Sequence, residues 1–267
     1  MDGHGRPAVQ LSTVLRRLGW GRSPDLGPVP APDPETAARR LATARRLAAD
    51  GRQQDGTTCG SAVLTMLAAL GDPGLEHWLA RGRLTGPTLP PELAGAPSSA
   101  LDRLADASAA VRFRAVHRVV QRRTTERSLL GGPWPRALGT PPWGAAGVAR
   151  LAGVGWTHRP LDDTDAGSLR AELDRVRRWV AAGVPVPLYS GGDTRQGLAA
   201  AVPRHVVLVV GADDGALDVF EPSRGAVVRA RVADLLTPDG PQPALGGWRH
   251  LAWAVVPVAG GDRVVAR

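Results

Sequence analysis

Residues 205–221 read HVVLVVGADDGALDVFE. Two β-branched runs, His205 to Val210 and Ala216 to Phe220, flank Asp213-Asp214-Gly215, and a turn this short permits a hairpin but no helical crossover. Runs of the same kind lie on either side: VPVPLY (Val184 to Tyr189), AVVRARV (Ala226 to Val232) and WRHLAWAVVPV (Trp248 to Val258). Gly191 and Gly192, and Pro222 through Gly225, punctuate them. The C-terminal part is therefore expected to form an antiparallel sheet. Upstream the period changes to that of helices. Asp33 can cap a helix begun by Pro34, with Leu41, Ala44 and Leu47 on one face and Gly51 as stop. In QQDGTTCGSAVLTMLAALGDPG, Ala62, Val63, Met66, Leu67 and Leu70 fall at helical spacing, so a helix begins at or next to Cys59. It is apolar on more than one side, as a central buried helix should be. One further helical stretch is expected from about Ser98 to Arg123, and another over SLRAELDRVRRWVAAG, with Leu169, Leu173, Val176, Trp179 and Val180 on one stripe and Gly183 as stop. Helices first and strands later indicate an α+β fold.

The 267 residues suffice for one large domain or two small ones. Residues 1–32 end in SPDLGPVPAPD and read as a flexible lead-in to a body spanning 33–267, within which 83–160 carries mixed helix and loop. The formal charge is +8, and all 33 basic residues are Arg. Lys, Asn and Ile are absent. Their codons are AT-rich, so the composition points to a GC-rich, bacterial-type genome more than to a nucleic-acid partner. The densest basic run holds six Arg from Arg112 to Arg127 against Glu126. Read as a helix, it has an apolar face of Val116, Val119 and Val120 and a wet Arg face, for which solvation is favoured over phosphate binding. The start of the chain lacks the features of a secretory signal, and no apolar run is long enough to cross a bilayer, so a cytoplasmic protein without membrane contact is expected. A single Cys excludes a disulfide framework and suits a reducing compartment. No Cys or His spacing matches a metal site, and phosphate-loop and dinucleotide motifs are absent; no cofactor is expected. The oligomeric state is not legible in the sequence.

Three residues have chemistry to share. Cys59 stands where a polar loop enters a buried helix, a position that favours a thiolate. His205 opens one strand of the hairpin and Glu221 closes the other, so the two outer ends meet; with the turn centred near residue 213, His205 should lie opposite about Glu221. A thiol, an imidazole that takes its proton and a carboxylate that orients the imidazole form a nucleophile for acyl carbon. Gln53, six residues before the thiol, and the Cys59 backbone N–H are candidate donors to the oxyanion. Gln54 is the rival of Gln53, and His250 that of His205. Asp213 and Asp214 are the fallback for the acid, although a hairpin tip should point away from His205. Trp134, Thr140 and Trp143, in GGPWPRALGTPPWG, are candidates for one wall of the cleft.

Gln53-x5-Cys59-Gly60-Ser61-Ala62, followed by the His205 strand, a two-Asp turn and Val-Phe-Glu221-Pro222-x-x-Gly225, resembles the papain-like cysteine peptidases. It is most similar to the bacterial branch that includes the bacteriocin-leader-processing peptidases, and AAGVPVPLY matches the strand that precedes the His strand there. The motifs cover Gln53 to about Leu70 and Val184 to about Leu236; the roughly 110 residues between them match no motif. The branch has Asp before the Pro where this chain has Glu221. The resemblance implies a papain-like fold, with the Cys helix packed on a twisted antiparallel sheet. It also implies a cysteine hydrolase that cleaves a peptide or other amide bond through an acyl-enzyme, with Cys59, His205, Glu221 and Gln53 catalytic and Gly60, Thr140 and Trp143 near the substrate. A protein or peptide is the expected partner. The same residues also serve deamidases, transglutaminase-like enzymes and isopeptide-cleaving enzymes of toxin or effector type. A papain-fold binding module without activity is the alternative from a different class.

Overall fold

A computed structural model describes residues 11–17, 26, 28–126, 128–129, 132–192, 203 and 205–258. Among these, helices α1 (Leu11–Arg17), α2 (Pro34–Leu47), α3 (Cys59–Gly71), α4 (Pro73–Arg81), α5 (Ser98–Ala105), α6 (Ala109–Thr125) and α7 (Pro142–Val148) precede strand β1 (Gly155–Pro160). Then come α8 (Ala166–Ala181), β2 (Val186–Gly191), β3 (His205–Ala212), β4 (Ala216–Glu221), β5 (Ala226–Arg231), α9 (Val232–Leu236) and β6 (His250–Val258). The strands form one sheet in the order β1-β6-β2-β3-β4-β5, every pair antiparallel. The fold is thus α+β. No helix of the described residues is long and apolar enough to cross a membrane.

The hydrophobic segment beginning at Cys59 becomes the centre of the molecule. Every residue of α3 from Cys59 to Leu70 is buried, between α6 on one side and β3 on another. Its far end is tied down by Arg40 of α2, which donates to Leu70 O at 3.0 Å and also to Gly183 O, just beyond α8. Gly183 has φ 81°, and a Cβ there would stand 2.7 Å from Thr36 Cγ2, so only glycine lets α2 and the end of α8 approach this closely. Asp33 caps α2 through Thr36 N, as its position in the sequence implies.

Four features depart from the sequence expectation. The stretch from Ser98 to Arg123 is two helices rather than one, parted at residues 106–108. The break is held by Arg112, whose guanidinium donates to the carbonyls of Leu79, Ala80, Leu104, Ala105 and Ala107. Arg112, expected on the wet Arg face, is therefore buried and satisfies the ends of α4 and α5. The second feature is β1, an edge strand of sequence GWTHRP that pairs along its length with β6. With Gly, Pro and no alternation it carries no strand signal of its own; pairing and its edge position make it a strand. Third, part of the presumed lead-in is docked: α1 lies against β1 and β6, Arg16 donates to Pro160 O and Ser168 Oγ, and Arg17 pairs with Asp162. Leu26 is buried in the core. Local sequence carries the turn and helix tendencies but not these long-range partners. His4 and Arg127 lie outside the described residues.

The fourth departure is a change of register that matters for the site. Near the hairpin tip Ala212 faces Leu217 and Gly211 faces Asp218, but beyond a bulge Val209 faces Val219 and Leu208 faces Phe220. Continued, this register sets Val207 opposite Glu221, with His205 two residues further along on the same face. His205 and Glu221 are therefore diagonal neighbours and not directly opposed. Had the tip register run on unbroken, Leu208 would face Glu221, and the carboxylate would leave the sheet on the side away from His205. The extra residue in β3 puts both side chains on one face.

Candidate active site

Cys59 is the first residue of α3, 2 % exposed, and the chain's only thiol. The loop before it is folded by Thr58, whose Oγ1 accepts from Gln54 N at 3.0 Å and Asp55 N at 3.1 Å. Because that hydroxyl is spent on the loop, α3 begins without a side-chain cap. The amides of its first turn keep their donor capacity beside the sulfur. Gly60 is required here by space, since a Cβ would stand 2.5 Å from both Cβ and Oγ1 of Thr140. Thr140 is itself 4 % exposed, and its hydroxyl has no partner among the described residues.

The sheet supplies the other two groups. His205 Nε2 lies 2.6 Å from Oε1 of Glu221, which leaves Nδ1 as the ring nitrogen for Cys59. Glu221 is fully buried, and its remaining lone pairs are occupied: Oε1 accepts from Ser223 N at 2.9 Å, and Oε2 from Ser223 Oγ at 2.7 Å and Arg224 N at 2.9 Å. The turn after β4 thus wraps the carboxylate in donors. Burial by itself raises the Glu221 carboxyl, but the hydrogen bonds from His205 and Ser223 outweigh it and hold the group below its ordinary range. For His205, burial by itself lowers the imidazole. The hydrogen bonds to Cys59 and Glu221, with their charges, prevail and push it up to about 9. The geometry therefore favours a protonated imidazole held between sulfur and carboxylate near neutral pH.

Two contacts fix the ring that no sequence signal announces. Gly246, in the left-handed region at φ 68°, packs against the imidazole: a Cβ there would come within 2.4 Å of Cδ2. Its segment is strapped in place by Ser190, which lies opposite His205 in the β2–β3 ladder and donates to Leu245 O at 3.0 Å. Tyr189, the next residue of β2, is fully enclosed, and its hydroxyl has no partner among the described residues. Burial and the nearby charge of Cys59 hold this phenol well above its usual range. A glycine in a Gly-Gly pair and a lone Tyr in a strand are ordinary in sequence; only the fold brings Gly246 to the imidazole and Tyr189 near the thiol.

The remaining expected residues divide. Gln53 is present at the site through its backbone, N–H to Pro222 O at 2.9 Å, which joins the loop before Cys59 to the turn around Glu221. Its amide nitrogen, expected to face the oxyanion, donates to Asp55 O at 2.9 Å instead, because the tight turn at residues 53–55 presents that carbonyl first. One N–H of the amide remains. Gln54 turns away, donating to Arg114 O at 3.5 Å. Thr140 abuts Gly60, whereas Trp143 makes its contacts with Ser128 O, Trp134 and His158. Asp213 binds Arg229 at the hairpin tip, at the opposite end of the strands from His205. His250 pairs with Asp163 at 2.5 Å beside a cavity of about 190 Å³ that contains no sulfur. Among the described residues no three His, Cys, Asp or Glu side chains gather as a metal site.

Compared with known proteins, the chain matches no family model, and no curated protein or solved structure shows significant similarity to it.

Proposed function

We propose that the protein is a papain-like cysteine hydrolase that cleaves a peptide or other amide bond through a thioester intermediate. One observation carries this: a single buried imidazole stands between the only thiol, at the uncapped start of a helix, and a fully hydrogen-bonded carboxylate. His205 takes the Cys59 proton, and the thiolate attacks the carbonyl carbon. The carbonyl oxygen becomes an oxyanion, and the N–H groups of the first turn of α3, with the spare N–H of Gln53, are its donors. The imidazolium then gives its proton to the departing amine nitrogen as the C–N bond breaks. Water, deprotonated by the same imidazole, attacks the thioester and returns the thiol. Glu221 keeps the ring oriented and its positive charge stabilised throughout.

Glu in place of Asp is no obstacle in this arrangement, because the longer side chain meets Nε2 at 2.6 Å while the turn saturates its other lone pairs. That satisfaction counts against an inactive binding module. The test is labelling by an electrophilic peptide probe. Wild type should be modified at Cys59, and a folded Cys59→Ala variant should not; equal labelling of both would falsify the proposal.

A further inference from the structure

The loop that leads into Cys59 lies along one edge of α6. Gln121 Nε2 donates to Thr57 O and Gln54 Nε2 to Arg114 O, each at 3.5 Å. At about 100° per residue, Arg114, Arg118 and Gln121 fall within one narrow arc of the helix, and Arg122 borders it. Arg114, Arg118 and Arg122 are all exposed, and none of their guanidinium groups has an ion-pair or hydrogen-bond partner among the described residues. Their neighbours in the same run are otherwise engaged: Arg112 is buried on five carbonyls and Arg123 donates to Pro91 O. Two carboxylates lie near the edge, against its three exposed guanidiniums: Asp55, which hydrogen bonds from Thr57 and Thr58 hold below the ordinary carboxylate range, and Glu126, the C-cap of α6, one turn beyond Arg122. On the other side of the loop, Arg52 donates to Ser223 O, beside Arg224. The rim of the candidate active site is thus basic on two sides.

We infer that the edge of α6 formed by Arg114, Arg118 and Arg122 binds an acidic segment of a protein substrate and presents the adjoining amide bond to Cys59. Successive arginines are four residues apart, which is about 6 Å along the helix. Acidic side chains on alternate residues of an extended peptide repeat at about 6.6–6.8 Å, so carboxylate and guanidinium run nearly in step. A surface for single-stranded nucleic acid pairs such charges with exposed aromatic rings for stacking. The one aromatic of this run, Phe113, is fully buried. The peptide is therefore the occupant that the edge fits.

The cleavage part of this inference rests on the thiol chemistry proposed above; the binding part does not, and the experiment separates them. Fluorescent peptides of alternating Glu and Ala, their Lys counterparts, and a single-stranded oligonucleotide are titrated against the Cys59→Ala protein, in which no chemistry can occur. At low salt the Glu peptide should bind at least about tenfold tighter than the Lys peptide. The preference should shrink in high salt and vanish in the exposed triple variant Arg114→Gln/Arg118→Gln/Arg122→Gln, whose fold is checked by circular dichroism. Equal affinity for the two peptides, or a preference that survives the triple variant, overturns the inference. So does an oligonucleotide that outcompetes the Glu peptide for the same arginines. If the acidic peptide binds as expected while wild-type Cys59 proves unreactive, the enzymatic proposal fails and the docking edge stands.

Discussion

His205 and His117 are both buried imidazoles, 6 % and 0 % exposed, and burial lowers the proton affinity of each, yet the two end on opposite sides of the ordinary value. His117 lies on α6 facing the apolar interior, edge-on to Phe113, and neither ring nitrogen has a partner among the described residues. Burial alone drives it down to about 3. His205 is buried nearly as deeply, but hydrogen bonding and charge from Cys59 and Glu221 push it up to about 9. The difference shows that burial does not make an imidazole functional or inert; the partners it is buried with do. It also separates an imidazole held neutral among apolar side chains from one held charged between polar partners.

The widest gap between the two should appear in reactivity. His205→Ala should cut labelling of Cys59 by an electrophilic peptide about a thousandfold, while His117→Leu should leave it within about twofold of wild type. Similar losses in both variants would erase the distinction.

The next contrast concerns pH and stability. The unfolded chain binds a proton at His117 near 6.5, but the folded chain does so only near 3. Folding stability should therefore fall as pH drops below about 6.5, by about 1.4 kcal/mol per pH unit at full effect, amounting to about 3 kcal/mol by pH 4. Urea denaturation at pH 7 and pH 4 should show this loss in wild type and a smaller one in His117→Leu. His205 runs the other way: its raised value means that its contribution is complete below about 6.5 and is lost as pH rises through about 9.

Glu221→Gln sharpens the comparison by taking the anion from His205 and bringing it closer to the condition of His117. Labelling should fall about a hundredfold, and the alkaline limit of the rate should move from near 9 toward lower pH. A limit that stays in place would mean that Glu221 does not support the imidazolium. The smallest effect is assigned to Gly246→Ala. Its Cβ would overlap the His205 ring at Cδ2 and tilt it, costing about tenfold in labelling rate with little change in the pH limit.

Much of the fold was visible along the chain because it depends on local signals. Asp33, Pro34, Gly51 and Gly183 bound their helices, and the β-branched runs parted by turn residues from Val184 onward marked five of the six strands. β1 was missed because Gly155–Pro160 is a strand only through pairing with β6. Arg112 was assigned to the solvent because its spacing matched the wet face, whereas the carbonyls that claim it come from α4, α5 and the loop after α5. At the site, Cys59, His205 and Glu221 could be named because each sits at an element boundary marked by turn residues. Tyr189, Ser190 and Gly246 could not, since nothing near them in sequence refers to a thiol or an imidazole.

The chain by itself determined the inventory: one thiol at a helix start, a hairpin with a histidine and a glutamate at its open end, and a basic helix between them. Periodicity and turn chemistry are short-range, so they are written in neighbouring residues. Only the tertiary structure decided what those groups do to one another. The bulge in β3 selects the face from which Glu221 meets His205, the turn at Ser223 saturates the carboxylate, and Gly246 seats the ring. Proton affinity and reactivity depend on atoms brought within a few ångströms from distant parts of the chain, and sequence spacing alone does not specify that approach.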